Sequence, residues 1–363
     1  MFFLKDYSLI GGIERVTANL IKAFLSNNIN VFGIWSLENQ NTSPFFEYDK
    51  NLEVIINPNY KDLYTYALIN KVDYIIVQNG DIYLGNKISV MFKGSDVKVI
   101  SVIHTSFYHW IQKYYIKDFA DILRYFKMFF WTRYKSKFLM KKLINNSAYT
   151  LFVSKNCMME VKDIFPEINY KIGYIYNISM NSKIDIDINN KENLIVFVGR
   201  LEREKQVFKT VKILAPLLVK NKDWKYLIIG EGSERKDIED FLTEKKVDNI
   251  ICLGAIHNVN EIFRKSKICL LYSFYEGLPT VLLEAAQNNN ALLAYNGNGG
   301  SSDIVVPELN GYLIDEDIQL YNKVKYLINN PHILEKMMFS NLNYNKFFEK
   351  NIMIQWQNLL DEI

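Results

Sequence analysis

Two series of short apolar segments, each alternating with helical patterns, restrict the fold of this sequence more than any other feature. The first series predicts strands at residues 2–4, 31–35, 52–57, 74–78, 97–104, 149–153 and 172–176. The second predicts strands at residues 194–198, 226–229, 250–253, 268–272, 291–295 and 311–314. Short apolar strands that alternate with helices are typical of a parallel sheet with helices on both faces. We therefore predict two α/β domains, each with a doubly wound, Rossmann-like parallel sheet.

A polar stretch rich in Asn, Asp and Lys separates the two series at residues 179–193, and we predict that it is a linker. This division gives an N-terminal domain at residues 1–178, a C-terminal domain at residues 194–345 and a final helical segment at residues 346–363. At 363 residues the chain is long enough for two domains with separate hydrophobic cores.

The composition excludes several classes of function. A formal net charge of +3 gives no indication of a nucleic-acid partner. The three cysteines lie in or beside predicted strands or helices and are expected to be reduced thiols in a cytoplasmic protein. The four histidines are scattered and no CxxC occurs, so neither a metal site nor a cofactor is expected. No apolar run approaches the roughly 20 residues of a membrane span, and Lys5 and Asp6 rule out a secretory signal at the first residues.

The segment from Ser273 to Ala285 carries two carboxylates, Glu276 and Glu284, separated by seven residues that include Gly277, Leu278, Pro279 and Thr280. Pro279 fits the first position of a helix, and a helix that begins near Thr280 would present free N–H groups and its positive dipole end to an anion. Glu284 would lie on the same helical face as Thr280. The segment could therefore hold a diphosphate on backbone amides and a polyol on two carboxylates. By spacing alone, a solvated Glu and a simple turn remain the more common explanation.

A second group of charged residues follows the first strand of the second series, in Val198-Gly199-Arg200-Leu201-Glu202-Arg203-Glu204-Lys205. Without a metal, the charge of a leaving diphosphate must be neutralised by fixed cations and amide dipoles. Arg200 could bind phosphate oxygens through two N–H groups, and Lys205 could add a point charge. Taken alone, two surface cations are the simpler interpretation.

These motifs resemble those of the retaining GT-B glycosyltransferases of family 4, which use nucleotide-sugar donors. The resemblance covers the E-x7-E segment, the Gly199-Arg200-Leu201 segment with Lys205, and Gly11-Gly12-Ile13-Glu14-Arg15 after the first strand. It implies two Rossmann-like domains that face each other across a cleft, with a C-terminal helix, here within 351–363, that crosses back to the first domain. One position departs from the family: Gln206 stands where glycine is frequent, so the tight turn there is less certain.

The resemblance also implies roles for single residues in donor binding. It places Gly12 in the lining of the donor–acceptor cleft, Gly230 and Gly232 near the nucleoside, and Ile256 beside the nucleobase. Gly300 would belong to a glycine-rich loop opposite the diphosphate, although Asp303 stands where relatives usually carry Glu. By spacing alone, the glycines could equally be turn residues. The Gly-x-Gly pair lacks the third glycine of a dinucleotide fingerprint, so NAD binding is not expected.

His104 ends the apolar strand at residues 97–104, and a histidine at the carboxyl end of a parallel strand lies where doubly wound folds bind ligands. The resemblance implies that it contacts the donor sugar. A histidine that caps or packs the strand end is nearly as frequent. His109 is a weaker candidate, and His257 and His332 are interpreted as structural or surface residues.

The stretch from Phe107 to Ile144 contains many aromatic residues, interleaved with Lys and Arg and with only Asp118 and Asp121 as acids. This combination is typical of a surface that rests on an anionic membrane. A helix pair that packs into the core and exposes a basic face remains a strong alternative.

Together these features predict a metal-independent retaining glycosyltransferase at the inner face of the cell membrane. It would transfer a hexosyl group from a nucleotide sugar, with a UDP-sugar the commonest donor in the family, to a hydroxyl of a lipid-linked saccharide or surface polysaccharide intermediate. In this scheme Arg200 and Lys205 hold the diphosphate, Glu284 binds the ribose, and Glu276 contacts the donor sugar. Two alternatives stay open: a nucleotide-sugar epimerase of the same fold, and a non-catalytic nucleotide-sugar-binding subunit of another transferase.

Overall fold

The computed structural model describes residues 1–9, 11–41, 44–79, 82–107, 131–168, 171–178, 190–256, 258–340 and 344–363. The chain divides into two compact units. The first comprises Met1–Ile178 and Lys346–Ile363, and the second comprises Ser179–Asn345. None of the described helices is both long and apolar enough to span a lipid bilayer.

The first unit contains a seven-stranded, all-parallel sheet in the order β3-β2-β1-β4-β5-β6-β7. Its strands are β1 (Phe2–Asp6), β2 (Gly33–Glu38), β3 (Glu53–Ile56), β4 (Tyr74–Asn79), β5 (Lys98–Ile103), β6 (Tyr149–Phe152) and β7 (Ile172–Tyr174). All seven predicted strands form. Consecutive residues of β1 are buried on opposite faces: Phe3 packs in a cluster with Leu63 and Ile88, whereas the ring of Phe2 lies 5.7 Å from that of Phe24. This double burial explains why the first three residues of the strand, Phe2-Phe3-Leu4, are all apolar.

Helices cover both faces of this sheet. They are α1 (Gly12–Ser26), α2 (Asp62–Ile69), α3 (Ile82–Met91), α4 (Lys137–Asn146), which follows a π-helical turn at Trp131–Ser136, α5 (Lys155–Ile164) and the C-terminal α12 (Glu349–Glu362). The predicted return of the C-terminal helix to the first domain is confirmed. Trp356 packs edge-on against Phe24 with ring centroids 5.4 Å apart, and the Tyr74 hydroxyl donates to the Leu360 carbonyl at 2.7 Å.

The second unit contains a six-stranded parallel sheet in the order β10-β9-β8-β11-β13-β15 and a separate two-stranded sheet, β12-β14. The strands are β8 (Glu192–Val198), β9 (Lys225–Ile229), β10 (Ile250–Gly254), β11 (Ser266–Leu271), β12 (Tyr275–Glu276), β13 (Ala291–Tyr295), β14 (Asn298–Gly299) and β15 (Gly311–Ile314). The six strands of the main sheet were all predicted, and β12 and β14 were not.

The helices of the second unit are α6 (Val207–Leu218), α7 (Arg235–Lys245), α8 (Val259–Lys265), α9 (Thr280–Gln287), α10 (Asp317–Asn329) and α11 (Pro331–Met338). The range predicted as a linker, 179–193, is described only from Asn190 onward. There β8 begins at Glu192 and Lys191 is buried, so the prediction ran too far at this end. Lys191 can be buried although it is polar, because its ammonium group donates to the carbonyls of Phe263 at 2.9 Å and Ser266 at 2.6 Å.

Each sheet has one point at which the strand order reverses, between β1 and β4 in the first unit and between β8 and β11 in the second. At such a point the loops that follow the two central strands diverge to opposite faces and leave a crevice at the carboxyl ends of the strands. Doubly wound proteins bind their ligands there.

Candidate functional site

The loops that follow β8 and β11 bring Lys205 and Glu276 together at the switch point of the second unit. The Lys205 ammonium group lies 2.5 Å from Oε1 of Glu276, although the two residues are 71 positions apart in the sequence. Their side chains are only 18% and 14% exposed, so both charges are largely withdrawn from water. A cation and a carboxylate of the predicted site therefore form an ion pair.

A tight turn places Lys205, and it forms without the glycine that is frequent there in the family. Residues Arg203–Lys205 make a single 3-10 turn, and Gln206 adopts a left-handed conformation with φ of 54°. The Gln206 side chain is buried, and its amide donates to the Tyr272 carbonyl at 2.8 Å. The backbone N–H of Phe274 also donates to the Glu204 carbonyl at 2.9 Å. These two hydrogen bonds fasten the Lys205 loop to the segment that leads into Glu276.

Arg200, the other predicted diphosphate ligand, lies on the surface. Its side chain is 72% exposed and its guanidinium donates to Glu204 at 3.0 Å. Such an exposed pair contributes little to stability and leaves the side chain available for other partners. Arg200 and Lys205 thus lie on the same loop, with separate carboxylate partners.

The helix of the E-x7-E segment begins as predicted at Thr280. Pro279 lies one residue before the helix, with φ of −73° and ψ of 90°, and not at its first position. The Pro279 carbonyl accepts from the N–H of Leu282 at 3.0 Å, which starts the helical turn. Leu278 is buried. Glu284 lies in α9, four residues after Thr280, and is half-buried.

The glycine-rich loop packs directly on the backbone of Glu276 through the two-stranded sheet that was not predicted. Tyr275 pairs with Asn298 and Glu276 pairs with Gly299, and the N–H of Gly300 donates to the Gly277 carbonyl at 2.9 Å. Gly299 has φ of 106°, and a Cβ atom there would lie 1.7 Å from the Glu276 carbonyl oxygen. Only glycine permits this approach. Asp303 ends the 3-10 turn Gly300–Asp303 that follows.

Gly199, Gly230 and Gly232 serve the packing of neighbouring loops against each other. A Cβ atom on Gly230 would lie 1.9 Å from the Gly199 carbonyl oxygen, and one on Gly232 would lie 2.5 Å from the Leu201 carbonyl oxygen. The structural interpretation of the Gly-x-Gly pair therefore accounts for both glycines. Ile256, predicted beside the nucleobase, is half-buried just after β10.

In the first unit, Gly12 is the first residue of α1 and is exposed at the end of the β1 loop. His104 follows β5, and its Nε2 lies 2.5 Å from Oε1 of Gln78 at the end of the neighbouring strand β4. No sequence motif indicated Gln78, whose Nε2 is buried with no hydrogen-bond partner in the described part of the chain. Nor did a motif indicate Asp6, which is buried at the end of β1 and accepts from Ser8 and Gln40. Both Gln78 and Asp6 could have been found from the sequence as polar residues at the end of a central apolar strand.

We expect His104 to stay neutral well below neutral pH. Burial lowers the pKa of its imidazole from 6.5 to about 4. The unfolded chain then binds more protons than the folded chain between these two values, so stability should rise with pH across this window and be lost as pH falls from 6.5 to about 4. The His104 ring resonances, assigned by comparison with a His104→Gln variant, should not move between about pH 7 and pH 5.5. A titration midpoint near the ordinary value of free histidine would contradict this burial.

The predicted membrane stretch from Phe107 to Ile144 lies largely outside the described residues, as does His109. Its last part is described: Tyr134 and Phe138 occupy successive turns and are 66% and 65% exposed. Residues 131–146 carry five basic side chains and no acidic one. His257 also lies outside the described residues, and His332 is exposed. Among the residues described, no group of three His, Cys, Asp or Glu side chains could hold a metal ion.

The domain that carries this site belongs to a known family. Residues 180–342 match the family described as glycosyl transferases group 1. The second unit is a glycosyl transferases group 1 domain. The Lys205–Glu276 pair, the E-x7-E helix and the glycine-rich loop all lie within the group 1 domain.

Relatives that match the whole chain or about half of it are also glycosyltransferases. An uncharacterized glycosyltransferase of Haemophilus influenzae is 23% identical over 99% of both chains. The GalNAc-α-(1→4)-GalNAc-α-(1→3)-diNAcBac-PP-undecaprenol α-1,4-N-acetyl-D-galactosaminyltransferase of Campylobacter jejuni is 30% identical over 178 residues. That alignment covers 48% of this chain and 49% of the relative, so the chain spans about half the length of this relative.

The fold of the whole chain is that of a solved glycosyltransferase, the lipopolysaccharide outer core galactosyltransferase WaaB, which superposes with a TM-score of 0.71 over 100% of this chain and 99% of its own, at 18% identity. The Anabaena protein HepE in complex with UDP-glucose superposes with a TM-score of 0.73 over 100% of this chain and 99% of its own, at 14% identity. The predicted GT-B fold is confirmed by this likeness and by the two parallel-sheet units. The group 1 assignment is confirmed too, while the narrower assignment to family 4 stays a prediction.

Proposed function

We propose that this protein is a glycosyltransferase that moves a sugar from a nucleotide-activated donor to a hydroxyl group of a lipid-linked saccharide or a polysaccharide intermediate. The observation that carries the proposal is the Lys205–Glu276 pair at the switch point of the group 1 domain. A cation and a carboxylate in one partly buried place suit a ligand with an anionic part beside a polyol part. A nucleotide diphosphate sugar has both parts.

The charges of the site support a donor whose diphosphate lies against the Lys205 loop. Without donor, Glu276 neutralises the Lys205 ammonium group. A diphosphate would offer Lys205 a stronger anion, and the released carboxylate of Glu276 could then accept hydrogen bonds from sugar hydroxyls. Arg200, exposed on the same loop, would add a second cation by releasing Glu204. Glu284, four residues beyond Thr280, would bind the ribose.

A UDP-hexose is the donor we propose, because the HepE structure contains UDP-glucose and has the same fold. We propose a retaining reaction by front-face displacement. The bond from the anomeric carbon to the phosphate oxygen breaks, the acceptor oxygen bonds to that carbon on the same face, and the leaving phosphate takes the acceptor proton. Lys205 and Arg200 stabilise the negative charge that develops on the leaving group. His104, held neutral, would present a hydrogen-bonding group to the sugar.

The acceptor proposal is drawn from relatives. The Campylobacter jejuni relative carries an undecaprenol-linked acceptor in its name. A hydrophobic anchor of this kind keeps the acceptor at a membrane, which agrees with the exposed Tyr134 and Phe138 and their basic neighbours. We therefore propose peripheral association of the first unit with an anionic membrane surface.

One assay separates transfer from the two alternative functions. The purified protein is incubated with single nucleotide sugars and a lipid extract that contains lipid-linked saccharides, and both fractions are analysed by mass spectrometry. Transfer predicts released nucleoside diphosphate together with a lipid-linked saccharide one sugar heavier. A chemically altered free donor would instead show epimerisation, and saturable donor binding without turnover would show a non-catalytic subunit. Either of these results would contradict the proposal.

Membrane association is tested by replacing both Tyr134 and Phe138 with Ser. Cosedimentation with vesicles that contain phosphatidylglycerol should fall roughly fivefold or more, because two exposed rings no longer enter the interface. The control is a variant with Ser at Ile318 and Phe339, which are 60% and 56% exposed in the second unit. Equal cosedimentation of the two variants would refute the assignment of the membrane contact to this surface.

A further inference from the structure

An open groove lies on the surface of the first unit, beside α2, α3 and α4. Its volume is about 660 Å³. Three tyrosines and three aliphatic or thioether side chains supply most of the wall: Tyr60, Tyr64, Tyr83, Val90, Met91 and Leu139. This volume lies within the range of small-molecule sites, and its lining is largely apolar.

The helical periodicity explains why the groove has an apolar floor. Tyr83, Lys87, Val90 and Met91 occupy positions i, i+4, i+7 and i+8 of α3 and therefore share one face of that helix. Asn86 holds a second wall in place, since its side-chain amide donates to the Leu139 carbonyl of α4 at 2.8 Å and to the Ile82 carbonyl at 3.0 Å. The groove is thus built by fixed contacts between two helices and is preformed.

The rim of the groove is positive. Lys61, Lys87 and Lys142 line it and are exposed, and no acidic residue lines it within the described part of the chain. The ammonium group of Lys87 lies 5.3 Å from the centre of the Tyr60 ring. The nearest acid in sequence, Asp62, is engaged by the side-chain amides of Asn57 and Asn59 at 3.0 and 2.8 Å. The lysines are therefore available to an external anion.

The groove is continuous with the surface proposed to contact the membrane, which comprises Tyr134, Phe138 and the basic residues of 131–146. Leu139 and Lys142 lie on α4, one helix with Phe138, and the Lys135 ammonium group lies 5.7 Å from the ring centre of the groove residue Tyr83. An apolar trough with a cationic rim, next to exposed aromatic side chains, matches a ligand with a hydrocarbon chain and an anionic head.

We propose that this groove binds one anionic membrane lipid, with a hydrocarbon chain along the face of α3 and the headgroup phosphate against Lys61, Lys87 and Lys142. This proposal builds on the membrane contact proposed above, but it requires no sugar transfer. It adds a discrete binding site, which would fix the rotation of the first unit on the bilayer more firmly than adsorption of a flat basic surface would.

The test uses dihexanoyl phosphatidylglycerol below its micelle concentration, titrated into the full-length protein by calorimetry, so that no bilayer surface is present. The variant Val90→Glu places a carboxylate in the groove at a position that is 42% exposed, which spares the core. Affinity should fall at least about tenfold, because a carboxylate repels the phosphate and is poorly solvated beside a hydrocarbon chain. The control is Val219→Glu, at a position 46% exposed in the second unit.

A second variant tests the headgroup. Replacing Lys61, Lys87 and Lys142 with Gln should reduce the affinity for the phosphatidylglycerol severalfold, whereas Gln at Lys220, Lys222 and Lys225 should leave it unchanged. Glycerol phosphate alone should bind far more weakly than the lipid. The proposal is overturned if the wild-type protein does not bind the monomeric lipid, if Val90→Glu binds like Val219→Glu, or if glycerol phosphate binds as tightly as the lipid. Nucleotide binding and sugar transfer are measured independently, so a failure here leaves the proposed donor site untouched.

Discussion

Replacing Lys205 with Met is expected to lower the rate of sugar transfer by about 10²–10³-fold, the effect typical of removing one preorganised group that stabilises developing charge. The ammonium group is placed by a tight turn and largely withdrawn from water, where its interaction with a leaving diphosphate is strong. The measurement is the initial rate of nucleoside diphosphate release at saturating donor and acceptor. Methionine retains most of the side-chain volume, so the loss should be of charge only.

The matched control is Lys209→Met, four residues further along the chain in the first turn of α6. Lys209 pairs with Asp317 at 2.7 Å, donates to Oε1 of Gln206 at 3.3 Å, and lies outside the proposed donor contacts. It should retain a rate within about twofold of wild type, since an ion pair of this exposure contributes little. If Lys205→Met and Lys209→Met turn over at similar rates, the diphosphate does not bind where we place it.

A combined variant separates charge stabilisation from folding. Lys205→Met removes the ammonium group that pairs with the Glu276 carboxylate in a place only 14% exposed, which should lower the free energy of unfolding by about 1–3 kcal/mol. Adding Glu276→Gln removes the carboxylate charge as well and should restore most of the stability. Turnover should stay low, because neither change returns the cation. Recovery of turnover along with stability would mean that the lysine acts only through the fold.

The second large effect is expected for Gly299→Ala. The added Cβ atom would meet the Glu276 carbonyl oxygen at 1.7 Å, and φ of 106° is a conformation that alanine rarely adopts. The β12–β14 pairing must therefore shift or break, with an expected loss of about 3 kcal/mol or more in the free energy of unfolding of the second unit. Because Glu276 belongs to that pairing, nucleotide affinity should fall as well.

Gly94→Ala is the control for Gly299→Ala. Gly94 also has a positive φ, of 81°, but a Cβ atom there would meet nothing within 4 Å. Its replacement should cost only about 1 kcal/mol, the cost of the backbone conformation alone. Urea unfolding monitored by circular dichroism compares the two. Similar losses for both variants would show that close approach to Glu276 does not set the conformation of the loop.

The central strands of both sheets could be predicted from the sequence because most of their residues are buried on both faces. The run Phe2-Phe3-Leu4 has every side chain almost fully buried, so its apolar character is continuous and easy to detect. The start of α9 at Thr280 was predictable for a related reason, since the Gly-Leu-Pro break that precedes it punctuates the chain locally.

The details of the site depend on contacts between distant residues, which local patterns do not encode. β12 has only two residues, which is too short a run to show a strand pattern. It pairs with β14 only because Gly299, which has no Cβ atom, can approach the Glu276 carbonyl closely. Gln206 made the turn beside Lys205 uncertain, yet its side-chain amide reaches the Tyr272 carbonyl and holds a left-handed backbone. A residue that replaces the frequent glycine can thus keep the turn through a tertiary hydrogen bond.

Titration of the protein with UDP, by isothermal calorimetry, tests the central claim most directly, because it asks whether the switch point of the group 1 domain binds a nucleoside diphosphate. Wild type and Lys209→Met should bind UDP with similar affinity, whereas Lys205→Met should bind at least about tenfold more weakly, as expected when one charge-assisted contact to phosphate is lost. Equal affinities of Lys205→Met and wild type for UDP would contradict the account.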